Sequence, residues 1–172
     1  MVHPRGRLLF DRDSVHGGHA VLAVSTMTQL PLPSSQPGVR EAIETAERLL
    51  PGIGVPRGWS DPRWRAIVRI AEFVESHPEQ VWRFVRRWGC HSDAELRSAI
   101  AIGLLEHLIG HHFELIFPRV ERLAGSDPRF ADTFRQCWKL WQSNWPENSI
   151  AFDRLMESLA APGCFERLNA GG

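Results

Sequence analysis

The chain has 172 residues, of which 43% are hydrophobic and 23% charged, and its 20 basic residues balance its 20 acidic ones. That is enough for one domain with a real core and too little for two large ones. A formal net charge of zero removes any global electrostatic argument for nucleic acid, an anionic membrane or an acidic substrate.

Residue usage adds little about chemistry. Lys139 is the only lysine, tyrosine is absent and there are seven tryptophans. The arginine bias reads first as a GC-rich, bacterial genome and only then as function. Cys90, Cys137 and Cys164 are widely spaced and form no Cys-x-x-Cys pair, which speaks for reduced thiols in a cytoplasm and against a zinc ribbon. The apolar run Ala20–Val24 is too short for a signal-peptide core or a membrane span, so a cytoplasmic protein is expected.

Residues 1–37 show no helical or strand period and are rich in Gly, Pro, Ser and His, so a disordered N-terminal segment is expected. His16 and His19 flank two glycines, which give a metal no fixed geometry. Met27 opens a natural-looking protein start, and residues 1–26 read as an upstream extension from a misassigned start codon.

Order is expected over residues 38–162, followed by a flexible tail over 163–172. Apolar residues at 39, 42, 43, 46, 49 and 50 have a helical period, and Pro51-Gly52 stops it. Three similar stretches follow: Ser60-Asp-Pro-Arg-Trp64, Ser92-Asp-Ala-Glu-Leu96 and Ser126-Asp-Pro-Arg-Phe130. Their serines stand 32 and then 34 residues apart, the mark of an internal repeat. Ser or Asp caps the free N–H groups of a first helical turn, and Pro at the first helical position loses no hydrogen bond. Ser92 with Glu95 forms a capping-box pattern, so Ser92→Ala is expected to cost about 1 kcal/mol.

Inside each unit a second start is expected, from the match of Pro78-Glu79 and Phe84 to Pro146-Glu147 and Phe152. The expected helix pairs are 61–76 with 78–89, 93–109 with 112–124, and 128–143 with 147–160. Leu96, Ile100, Leu104 and Leu108 form one apolar stripe, and Phe130, Phe134, Cys137, Trp138, Trp141 and Trp145 form another. One pair cannot bury such faces, whereas stacked pairs can.

Asp93-Ala-Glu-Leu96-Arg97, followed by Ile100 and Leu104, resembles a HEAT-type α-solenoid unit, and Asp61-Pro-Arg-Trp64-Arg65 is a looser copy. The resemblance covers about residues 60–160 and implies an all-α fold: a short right-handed α-solenoid of about three HEAT-like helical hairpins behind a leading helix. It also implies a long surface for one extended partner, so a non-catalytic protein–protein interaction module, an adaptor or an inhibitor-type partner, is the leading expectation. Some HEAT-like proteins are glycosylases for alkylated DNA bases. This chain is short for that group and offers no identifiable catalytic Asp.

Three groups of side chains are candidates for function. Arg83, Arg86 and Arg87 share the face of a helix opposite Val81, Phe84, Val85 and Trp88. That face is either solvated or docks carboxylates or phosphates, since guanidinium presents a planar fork to both. Nucleic acid is therefore the alternative partner. Trp141 and Trp145, at the end of an otherwise buried stripe, are candidate binding anchors.

The third group is His107, His111 and His112. Gly110 reads as a helix C-terminal cap that turns the chain, so the i, i+4 relation of His107 and His111 is expected to vanish. In the plainer reading His107 packs against its neighbours and bonds a carbonyl. In the other, the three histidines converge across the turn with Glu106 or Glu114 on zinc and carry a metal-dependent activity. No phosphate loop, nucleophile elbow or Cys/His pair is present, so no catalytic residue and no cofactor is assigned.

Overall fold

A computed structural model of the chain describes residues 38–51 and 60–160. The expectations for residues 1–37 and 163–172, including His16, His19 and Cys164, lie outside the described residues. The described residues are helical, with no strand among them.

Helix α1 spans Val39–Leu49 and α2 spans Pro62–Ala71. Helix α3 spans Pro78–Trp88. Helix α4 (Ala94–Ile100), a π turn (Ala101–Leu105) and α5 (Glu106–His111) then run on as one continuous rod. Helix α6 spans Phe113–Ser126 and α7 spans Pro128–Phe134. A 3-10 turn at Trp141–Asn144 precedes α8, Pro146–Ala160.

Each repeated Ser-Asp start does open a helix, but the aspartate is the cap. Asp61 accepts from the Arg63 N–H, Asp93 from Glu95 and Leu96, and Asp127 from Arg129 and Phe130. The expected box of Ser92 with Glu95 is absent. The Asp93 N–H goes to His91 Nδ1 (3.1 Å), and the Ser92 carbonyl accepts from Arg97 (3.1 Å). Asp93→Ala should therefore lower stability by about 1 kcal/mol, and Ser92→Ala should cost far less; paired urea titrations check the difference.

The apolar stripes become the core. Leu96, Ile100, Leu104 and Leu108 are all buried, and they meet Ile67 and Ile70 of α2, Val81 and Val85 of α3 and Ile116 and Val120 of α6 in one cluster. Helix α1 lies against α2 and α3, the rod against α2, α3, α6 and α7, and α6 against α7 and α8. Glu79 at the start of α3 pairs with Arg119 of α6 (2.8 Å), while Trp82 and Arg86 share a groove with Arg122 and Ser126 farther along, so α3 and α6 run in the same direction.

Two expected boundaries move. Helix α2 ends at Ala71, with Phe73 and Val74 tightening onto the carbonyls of Ile70 and Ala71, instead of continuing to 76. The expected helix 128–143 ends at Phe134. Gln136 and Cys137 donate to carbonyls three residues back, and the Trp138 N–H is taken by the Glu106 carboxylate (3.0 Å). A side chain from the rod thus replaces the next helical hydrogen bond, and the chain leaves the helix.

Candidate functional site

Because α7 stops early, its tryptophans do not form a buried stripe. Trp138, Trp141 and Trp145 are 75%, 50% and 60% exposed, so all three face solvent. The sequence singled out Trp141 and Trp145 and placed Trp138 in the core; that placement is corrected. An indole this exposed keeps most of its apolar area in water, and three within eight residues are not the scattered single residues of an ordinary surface.

The loop carrying them is pinned from beneath. Gln142 Nε2 donates to the His111 carbonyl (2.7 Å), and Gln142 Oε1 accepts from the Phe113 N–H (2.9 Å). One amide thereby satisfies a carbonyl at the end of α5 and a free N–H at the start of α6. Asn148 Nδ2 donates to the Gln142 carbonyl (2.9 Å) and Asn144 Nδ2 to the Lys139 carbonyl (3.0 Å). Lys139 reaches α8, bonding Ser149 and Asp153 at 2.8 Å.

Trp141 has φ of 41°, in the left-handed region that a bulky side chain avoids. Such a conformation costs about 1–3 kcal/mol and persists only where the surroundings over-determine it. Here its ring packs tilted by 37° against His111 (centroids 4.2 Å apart) and lies 5.4 Å from His107.

The histidines differ from expectation for a related reason. The chain turns at His112 (φ −134°, ψ 51°), not at Gly110, which lies inside α5. A Cβ on Gly110 would stand 2.7 Å from Trp141 Cε3 and 3.0 Å from the Leu140 oxygen. Glycine is there because the loop packs onto the helix backbone, which is a close approach and not a cap. His107 and His111 therefore keep their i, i+4 relation and share the face beneath Trp141. His112 turns elsewhere: its Nε2 lies 3.0 Å from the Val74 carbonyl, so it is His112 and not His107 that bonds a carbonyl. The three rings do not converge, and among the described residues no group of three or more His, Cys, Asp or Glu side chains is placed to hold a metal ion.

Burial raises the Glu106 carboxyl above its ordinary range, opposed by the Trp138 N–H. Burial lowers His107, and neighbouring His111 adds to this. Glu106 and His107 stand 3.9 Å apart, too far for a hydrogen bond, and burial acts on each against its charged form. Glu106 was readable as a lone carboxylate in the apolar stretch Gly103–Ile109, the usual sign of a buried partner. Nothing in the sequence marked Gln142.

The arginines lie where the helical period puts them. Arg83, Arg86 and Arg87 are exposed on α3, opposite buried Val81, Trp82, Phe84, Val85 and Trp88. Arg87 pairs with Glu47 of α1 (2.9 Å) and lies 5.4 Å from the Trp88 ring. Neither Cys90 nor Cys137 is in a disulfide, and burial pushes the Cys90 thiol up to about 11.

These features define an all-helical protein with a pinned, tryptophan-bearing loop and an arginine-faced helix, and with no helix among the described residues long and apolar enough to cross a membrane. The chain belongs to a family of unknown function, DUF6869, whose pattern matches residues 57–150, from the approach to α2 into the first turns of α8. No curated protein and no solved structure matches it.

Proposed function

We propose that the protein is a non-catalytic protein-interaction module of HEAT-like build in a bacterial cytoplasm, and that it grips a protein partner with the loop of Trp138, Trp141 and Trp145. The single observation that carries this reading is the exposure of all three indoles on a loop held rigid from below. Tryptophan is the commonest hot-spot residue of protein interfaces, and a loop already ordered loses little further entropy on binding. The strained backbone at Trp141 fits the same account, since it presents a ring to solvent that a relaxed helix would have turned inward.

The HEAT-like build is supported by the three aspartate-capped starts spaced 32 and 34 residues apart, by the parallel run of α3 and α6, and by the rod packed against both. The unpaired thiols of Cys90 and Cys137 agree with a reducing compartment.

The test uses tagged full-length chain and its Trp138→Ala/Trp145→Ala variant as baits in nuclease-treated lysate of the source organism. These side chains are the most exposed of the three, so the variant should keep its fold by circular dichroism. We expect one protein to be retained by the parent and lost from the variant. Equal retention by both baits would overturn the reading. So would a dimer of the parent, seen by sedimentation, that the variant abolishes, because the loop would then meet a second copy of the chain.

A further inference from the structure

A second surface, built from other residues, has a composition that names its ligand. Helices α1 and α3 enclose a groove of about 740 Å³. Val39, Ile43 and Phe84 give it an apolar floor, and Arg40, Arg83, Arg86 and Arg87 with Glu44 and Glu47 form its rim. Both helices have 11 residues, so at 1.5 Å per residue the groove runs for roughly 16 Å, about three helical turns.

The rim charges are not equivalent. Arg87 is held by Glu47 at 2.9 Å, and Arg40 lies 3.9 Å from Glu44. Glu79, the acid nearest Arg83 and Arg86 on α3, is taken by both guanidinium nitrogens of Arg119 (2.9 and 2.8 Å). Arg83 and Arg86 make no ion pair among the described residues. They are three apart on one helix, hence neighbours on its surface, with side chains roughly 5–6 Å from each other at Cβ. Arg86 also lines a second groove of about 260 Å³ with Arg119 and Arg122 and a floor of Trp82 and Leu123.

We propose that the α1–α3 groove binds an acidic amphipathic segment of a protein partner. Apolar side chains of that segment would sit on Ile43 and on the alkyl stems of the rim arginines, above buried Phe84, and two carboxylates one helical turn apart would pair with Arg83 and Arg86. The two vacant guanidiniums supply the complementary charge, and an apolar floor between them rewards a ligand that carries apolar residues as well. A nucleic-acid backbone fits less well. The chain has no net positive charge, and among the described residues no exposed aromatic ring lines either groove on which a base would stack.

The experiment measures fluorescence anisotropy of a labelled synthetic 18-residue helical peptide, leucine on one face and glutamate on the other, titrated with the full chain. A 20-nucleotide single-stranded DNA is titrated in parallel. Saturable peptide binding is expected, weakened about tenfold or more by Arg83→Glu/Arg86→Glu, weakened less by Arg83→Lys/Arg86→Lys, and reduced by Ile43→Ser. Arg83 and Arg86 are exposed, so the reversed variant should remain folded by circular dichroism. Trp138→Ala/Trp145→Ala should leave peptide binding unchanged, which keeps this result independent of the tryptophan loop. The proposal is overturned by peptide binding that the charge reversal does not weaken, by no saturable binding, or by DNA binding more tightly than the peptide at equal salt.

Discussion

Phe134→Ala is expected to lower the stability of the protein by about 3–5 kcal/mol, the range for emptying a buried phenylalanine site. Phe134 is fully buried at the end of α7. Its ring lies 4.8 Å from Phe152 of α8 and 6.2 Å from Phe117 of α6, and Phe117 in turn stacks on Phe113 at 4.4 Å. One aromatic cluster therefore holds three helices together, and truncating its centre removes transfer energy, ring contacts and packing at once. Against a typical total of about 5–15 kcal/mol, such a loss is a large fraction of the whole. The urea midpoint should fall strongly with little change in slope, and Phe134→Leu should recover much of the loss. A loss below about 1 kcal/mol would mean that the cluster does not bear the junction of α6, α7 and α8.

The same residue marks where the sequence stops being informative. Up to Phe134, the helix starts and the apolar stripe follow local chemistry, although the end of α2, the capping residue and the turn at His112 do not. Aspartate followed by proline or alanine starts each repeated helix, and the stripe Leu96, Ile100, Leu104, Leu108 is buried along its length. These features rest on residues a few positions apart, so one chain suffices to read them. Beyond Phe134 the outcome depends on partners about thirty residues away. The Glu106 carboxylate captures the Trp138 N–H, and Gln142 bridges His111 and Phe113. A pattern of tryptophans at 138, 141 and 145 looks like a helical face, but the α7 backbone is offered a better acceptor and leaves the helix. The π turn at Ala101–Leu105 was hidden similarly, because a one-residue widening leaves the apolar spacing almost intact. As for the site, the arginine face was legible because it is a property of a single helix. The tryptophan loop was legible only as residue types.

Gly110 provides the sharpest test of how that loop is seated. At an exposed position inside a helix, alanine in place of glycine stabilises by about 1 kcal/mol, since alanine gives up less backbone freedom on folding. Gly110 should show the opposite sign. The added Cβ would stand 2.7 Å from Trp141 Cε3 and 3.0 Å from the Leu140 oxygen, and the second of these is backbone that cannot rotate aside. Gly110→Ala should therefore destabilise, and Gly110→Val, with two further methyls and poorer helix propensity, should cost about 1–3 kcal/mol or more. The damage should be local in character. Trp141 is held by its contact with the His111 ring and by the Gln142 bridge next to it, so lifting the loop breaks both and exposes the His111 carbonyl and the Phe113 N–H. Faster hydrogen exchange at Phe113 and at Trp138, whose N–H bonds Glu106, should accompany the loss, while amides of α1 and α2 stay protected. A stabilising Gly110→Ala would show that Trp141 does not rest on the α5 backbone, and the rigid presentation of the three indoles would then have no structural cause.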